Sequence, residues 1–339
     1  MSDIFEETIP FISSKKNYWL FRTNSGKYYE EFRRKGIIAI NWNEITLEDI
    51  NGLTEEEIKL KLKKNYPNQS KHGRTYSQLR IFSKIMKEGD TVVITGPSSY
   101  KFTIGEIEAD DVYEEKVDIP ADDKKTCPYY KRRKIKWLKE VGKFEVDMPM
   151  FKLLQHAQHT ITDAMDYADV IESMVHDFFI REEGYKGETA YAQLSFFVDK
   201  ERDVPFYDFF ELGHSIIEMS KDFNKYTKKE YIDLEMIQTE ININSPGKFK
   251  MKGPIKSILA IGLLFILLAG GKFSVQLPSS QEGGGVEIET PGILQPILEY
   301  TKSRKDDNVI DLEQVENLEI EAPKELEEAM RKIGVGYKE

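Results

Sequence analysis

The sequence holds a single cysteine, Cys127, among 339 residues. That excludes an internal disulfide framework and a cysteine-held zinc cluster, and it fits a reducing, cytoplasmic setting. Positive charge is also in short supply. Lys and Arg number 48 against 59 Asp and Glu, giving a net charge of −11. A generic nucleic-acid coat needs net positive surface, so any contact with phosphates must be a local patch. No Gly-x-x-x-x-Gly-Lys-Ser/Thr phosphate loop, Gly-x-Gly-x-x-Gly fingerprint or Gly-x-Ser-x-Gly elbow occurs. Gln155-His156-Ala157-Gln158-His159 puts two histidines one helical turn apart, but no third strong ligand stands at a defined spacing. No metal, cofactor or catalytic residue is therefore expected. The opening Met-Ser-Asp-Ile-Phe-Glu-Glu is acidic and lacks the apolar core of a signal peptide.

What is present is organised around residues 18–42. Tyr18 to Phe21 is a short apolar run that ends in the polar turn Thr23-Asn24-Ser25-Gly26. A helical stretch follows, with Tyr28, Tyr29 and Phe32 at helical spacing; Gly36 stops it, and Ile37 to Trp42 reads as a second buried strand. Two readings of Trp19 and Trp42 stand side by side. They flank a polar turn and form an aromatic slot for a planar ligand, or both belong to the core. On the first reading Trp19, Trp42, Asn24 and Ser25 line a cleft, with Arg22, Gln78 or Tyr100 supplying polar contacts.

Downstream, Gln78-Leu79-Arg80-Ile81-Phe82 leads into Gly89-Asp90-Thr91-Val92-Val93, then Ile104-Gly105-Glu106-Ile107, a meander of short strands. With Tyr18–Arg22, Ile37–Trp42 and Arg132–Trp137, these pieces resemble the EVE-like branch of the PUA-like superfamily, as found at the N-terminus of prokaryotic defence and restriction-type proteins. The resemblance covers about residues 15–150. It implies a small twisted β-barrel with flanking helices, whose aromatic pocket accepts a modified or flipped base. Restriction-type relatives often carry an Asp…Glu-x-Lys nuclease. Asp111…Glu114-Glu115-Lys116 has those letters, but it falls inside an acidic loop of the barrel region.

Tyr129 to Lys139 is the densest basic run, interleaved with aromatics. On one reading Lys131, Arg132, Arg133 and Lys136 track a phosphate backbone while an aromatic stacks a base. On the other the run is an amphipathic strand, with Ile135 and Trp137 inward and Lys134 and Lys136 in water. Further on, Ile232 to Ile243 alternates and, through Asn244-Ser245-Pro246-Gly247, reads as one arm of a hairpin. Val286 to Gly292 repeats a strand-turn pattern. Between them Ser257 to Gly271 holds about fifteen uncharged residues, against roughly 20 for a membrane span. Its core, Ile258 to Ala269, is apolar on every face, which fits either lipid insertion or a fully buried helix.

The expected class is α+β: a small PUA-like β-barrel with flanking helices over 1–150, then a helical and β-hairpin C-terminal half. That half divides into an α+β region at 151–253, the hydrophobic helix with a strand and a short helix at 254–305, and a charged tail at 306–339. The expected function is non-enzymatic recognition of a modified base, nucleotide or short nucleic acid, in a prokaryotic defence protein placed in the cytoplasm or at the cytoplasmic face of the inner membrane, with a homo-oligomer as a further expected partner state. The rivals are a soluble restriction-like nuclease or its specificity subunit, and a soluble scaffold that buries the helix.

Overall fold

A computed structural model describes residues 8–119, 126–182, 190–198, 206–242, 247–269, 292–304, 315 and 317–332. It is a mixed α+β structure that divides into two compact units: residues 15–175, and residues 1–14 together with 176–339. The expected boundaries at 150, 253 and 305 are thus replaced by one near 175, and the N-terminal segment belongs with the distal half. That segment carries β1 (Phe11–Ile12).

The 15–175 unit begins with β2 (Tyr18–Phe21), α1 (Tyr29–Lys35) and β3 (Ile37–Ile40). The strand–turn–helix–strand reading of 18–42 therefore holds. Helices α2 (Leu47–Gly52) and α3 (Glu55–Asn65) each start at a threonine in a reciprocal capping box, Thr46 with Asp49 and Thr54 with Glu57. Such a box satisfies two otherwise orphaned backbone donors at a helix start. Then come α4 (His72–Arg80), continued by a π-turn over Ile81–Ile85, and strands β4 (Thr91–Thr95), β5 (Lys101–Ile107) and β6 (Tyr113–Glu114). The long β7 (Lys131–Gly142) is followed by α5 (Met148–His156), β8 (Ile161–Asp163) and α6 (Ala168–Val175).

These strands form one curled sheet in the order β3-β7-β5-β4-β2-β8, with β6 on β7. β2 and β4 run parallel, so both end at the same edge; the other pairings are antiparallel. Phe21, Phe32, Leu62, Leu79, Phe82 and Ile135 sit in a single apolar cluster inside the curl.

In the second unit β9 (Phe178–Arg181) and β10 (Tyr191–Val198) precede α7 (Phe206–Thr227). Next are β11 (Gln238–Asn242), β12 (Gly247–Gly253), α8 (Ile255–Ala269), α9 (Leu294–Ser303), β13 (Ile320–Glu321) and α10 (Lys324–Lys332). The sheet order is β1-β9-β10-β12-β11, with β13 on β10 and β1 parallel to β9. The expected hairpin exists as β11 against β12, although Leu234–Met236 is a 3-10 turn rather than strand. Its turn at 243–246 and the strand-turn echo at 286–291 lie outside the described residues.

The apolar helix α8 settles into this unit's own core. Ile258, Ala260, Ile261, Leu263 and Leu264 are fully buried, and α8 packs on β10, β12, α7, α9 and α10. Gly262 lets α10 come close: a Cβ there would lie 2.4 Å from Leu326 Cδ1. Among the described residues no helix is long and apolar enough to cross a membrane. Insertion of Ile258–Ala269 into lipid is thereby corrected to the buried-helix reading. The sheet supplies one wall, and three helices supply the rest. The charged tail contributes to this core too, because α10 buries Leu326, Ala329 and Met330.

Candidate functional site

The chain leaves the carboxyl ends of both β2 and β4 through left-handed turns. After β2 the chain turns through Asn24 (φ 55°) and Ser25 (φ 56°); after β4 it turns through Ser98 (φ 52°) and Ser99 (φ 54°). Four non-glycine residues in the left-handed region cost energy and hold only where their surroundings over-determine them. Here the two turns brace each other. Gly26 lies so close to the second turn that a Cβ would come within 2.3 Å of Pro97 N. The Thr23 hydroxyl donates to the Thr95 carbonyl at 2.6 Å, tying the two strand ends together.

Cations gather at the same edge. Arg22, exposed at the end of β2, donates its backbone N–H to Thr160 O at 2.8 Å, which places it beside His159. Lys71 and Arg74 stand at the start of α4, both exposed. His159 responds to all of them. Partial burial, then the charges of Arg74, Arg22 and Lys71, hold its imidazole below the usual histidine range. None of the three cations has an ion pair among the described residues. The α4 start adds its own partial positive charge, because its first turn contains no acid and Lys71 makes no side-chain cap. The edge is therefore a local basic patch on an acidic chain.

Gln78 is what holds α4 there. Its amide is buried and clamps the Ile161 backbone from both sides, donating to Ile161 O at 3.1 Å and accepting from Ile161 N at 2.6 Å. Both ends of its amide are thus taken up by the Ile161 backbone. Of the other residues expected to form the pocket, Arg22, Asn24 and Ser25 lie on one loop of this edge. Tyr100 follows the second turn, 62% exposed, with Lys143 Nζ 5.5 Å from its ring centroid.

Each of the two tryptophans is held by a hydrogen-bond partner of its own. Trp19 is buried and donates from Nε1 to Asp90 at 2.9 Å, at the opposite end of β4 from the basic edge. Asp90 also accepts from the Asn17 and Lys87 backbone amides, so this is a structural knot. Trp42 follows β3, the far strand of the sheet, with a left-handed backbone at φ 66°. Its half-buried indole donates to Gln69 at 3.0 Å, and the loop through Gln69 leads to Lys71.

The basic run is corrected as well. Lys131, Arg132 and Arg133 are each at most 1% exposed. Lys131 Nζ donates to Trp42 O and Ile45 O, both at 2.8 Å. Arg132 donates to Tyr129 O at 3.2 Å and pairs with Glu115 at 2.8 Å. The Arg133 guanidinium donates to four carbonyls: Phe82 at 2.6 Å, Met86 at 2.7 Å, Ala109 at 3.2 Å and Asp110 at 3.1 Å. These cations knit loops together from inside and present no charge to a phosphate. Lys136 alone of the four is exposed, with Lys134 beside it. Sequence reasoning missed Lys71, Arg74 and His159, because their convergence depends on the α4–β8 contact rather than on any local pattern. Among the described residues no cluster of His, Cys, Asp or Glu could hold a metal.

No curated protein matches the sequence. A solved structure titled "YTH domain-containing protein mmi1 and RNA complex" aligns with a TM-score of 0.27 and 10% identity, over 50% of this chain and 85% of that one. Residues 17–163, which contain every element of the basic edge, are similar to the family model described as Domain of unknown function (DUF8426).

Proposed function

We propose that the 15–175 unit is a binding module, without a catalytic step, for a phosphate-bearing ligand, and that the ligand is single-stranded nucleic acid. The observation that carries this is the set of three exposed, unpaired cations, Arg22, Lys71 and Arg74, gathered around His159 at the braced turns. A ligand phosphate there replaces the missing counter-charge, and it meets hydroxyls and amides of the Asn24–Ser25 and Ser98–Ser99 turns. The exposed Tyr100 ring and the half-buried Trp42 supply faces on which bases stack, a contact that tolerates any sequence. The EVE-like resemblance of the strands adds a finer expectation, that one base, modified or flipped, is selected at this edge.

The test is anisotropy of a fluorescein-labelled single-stranded RNA or DNA titrated with the full chain across a salt series. Three phosphate contacts on a single strand give a log–log salt slope of about −2. Arg22→Glu with Arg74→Glu should weaken binding by about tenfold or more and flatten the slope. Alanine at Lys131 or Arg133 should leave the slope unchanged wherever the protein remains folded. No saturable binding at low salt, or binding indifferent to the charge reversal, overturns the proposal.

A further inference from the structure

The unit formed by residues 1–14 and 176–339 contains a cavity of about 830 Å³, within the size range of small-molecule sites. Its wall is mainly aliphatic and aromatic: Ile9 and Phe11 at β1, Ile180 on β9, Leu259 on α8, and Ile293. Phe11 is left 59% exposed, a large apolar ring at the edge of this cavity. The lining also contains two lysines, Lys229 and Lys256, and no carboxylate among the described residues. Both lysines are exposed, and neither has an ion pair among the described residues. Lys229 Nζ lies 6.0 Å from the ring centroid of Tyr231, another lining residue. The Tyr231 hydroxyl donates to Gly292 O at 3.3 Å, and Tyr231 O accepts from the Ser257 hydroxyl at 3.4 Å, so the loop bearing Lys229 is fastened to the start of α8. Lys256 occupies the first turn of α8, which has no acidic residue. A cation there opposes the partial positive charge of the helix start, where an anion is favoured.

An apolar chamber flanked by two unpaired cations, one of them held against a helix N-terminus, matches an amphiphile with a single anionic head. We propose that this cavity binds a long-chain fatty acid, its chain against Ile9, Phe11, Ile180, Leu259 and Ile293 and its carboxylate facing Lys229 and Lys256. A bare anion would leave the apolar wall wet, and a neutral hydrocarbon would leave the lysines and the helix end uncompensated. The proposal is independent of nucleic-acid binding by the other unit.

The test is calorimetric titration of the delipidated full chain with palmitate, with methyl palmitate, acetate and anionic phosphatidylglycerol vesicles as separate arms. Palmitate should bind saturably and one-to-one, methyl palmitate and acetate at least about tenfold more weakly, and vesicles should not retain the protein. Lys229→Glu with Lys256→Glu should weaken palmitate by about tenfold or more, and so should Phe11→Glu, which puts a carboxylate at the rim. All three positions are exposed, so the variants should keep the wild-type circular dichroism and melting temperature. Absence of saturable palmitate binding, equal binding of the methyl ester, or wild-type affinity in both folded variants overturns the proposal. Retention on vesicles overturns it in favour of a lipid surface.

Discussion

At the scale of single residues, the buried Lys131 of β7 makes stability depend on pH. The Lys131 amine is pushed down to about 8, first by burial, with the nearby charges of Glu114, Asp49 and Glu44 pulling the other way. An unfolded lysine titrates near about 10.4. Between those values the unfolded chain holds more protons than the folded one, so Lys131 makes stability rise with pH across that window. Its contribution is least favourable below about pH 8, by an amount on the order of 3 kcal/mol. The neutral amine still has two N–H groups for its two carbonyl partners, Trp42 O and Ile45 O. Urea denaturation from pH 7 to 10.5 should therefore show the gap between wild type and Lys131→Met shifting toward wild type by up to about 3 kcal/mol. A pH-independent gap rejects this account.

The same strand shows how far the sequence could be read. Inward Ile135 with outward Lys134 and Lys136 was legible from alternation, and the structure keeps it. Carried two and four residues upstream, that alternation also turns Arg133 and Lys131 inward. Their charge argued against the pattern, yet carbonyls at Phe82, Met86, Trp42 and Ile45 answer it. Those acceptors come from loops distant in the chain, so no local window reveals them. The partner of Trp19 is likewise invisible to a local window, since Asp90 stands just before β4, more than 70 residues along the chain.

At the scale of elements, α8 was correctly read as apolar all round, and the short length that counted against a membrane span was the better guide. What the sequence concealed was the supply of neighbours, because α10 comes from the charged tail, where little marks a core helix. Leu326 of α10 fills the notch above Gly262. Gly262→Ala should overpack that contact and cost about 1–3 kcal/mol. Leu326→Ala alone should cost about 2–5 kcal/mol. The double variant should be clearly more stable than the sum predicts, since the new methyl enters the space the leucine vacates. Strict additivity in chemical denaturation would mean that the two helices do not meet there.

At the scale of the whole molecule, the division is discontinuous in sequence: β1 pairs with β9 across the entire 15–175 unit. Ile9 and Ile12 are buried in the distal unit, and the Ser14 backbone amide donates to Glu182 at 3.3 Å. Deleting residues 1–14 should therefore lower the melting temperature of the 176–339 unit while leaving that of the 15–175 unit in place. Calorimetry of the full and shortened chains checks this; a shift of both transitions, or of neither, contradicts it.

The parallel pairing of β1 with β9 also imposes an order on biosynthesis. The ribosome makes β1 first, but the strand that receives it is more than 160 residues away. By the time β9 is made the intervening unit has its full sequence and can close its own sheet, while the N-terminal segment has waited with two buried-to-be isoleucines in water. The distal sheet cannot take up its oldest strand until β9 emerges, and β10 to β13 still have to follow. The nucleic-acid module proposed here thus behaves as a cassette, finished before the frame that brackets it, and a nascent chain arrested soon after residue 175 clears the exit tunnel should already bind an oligonucleotide.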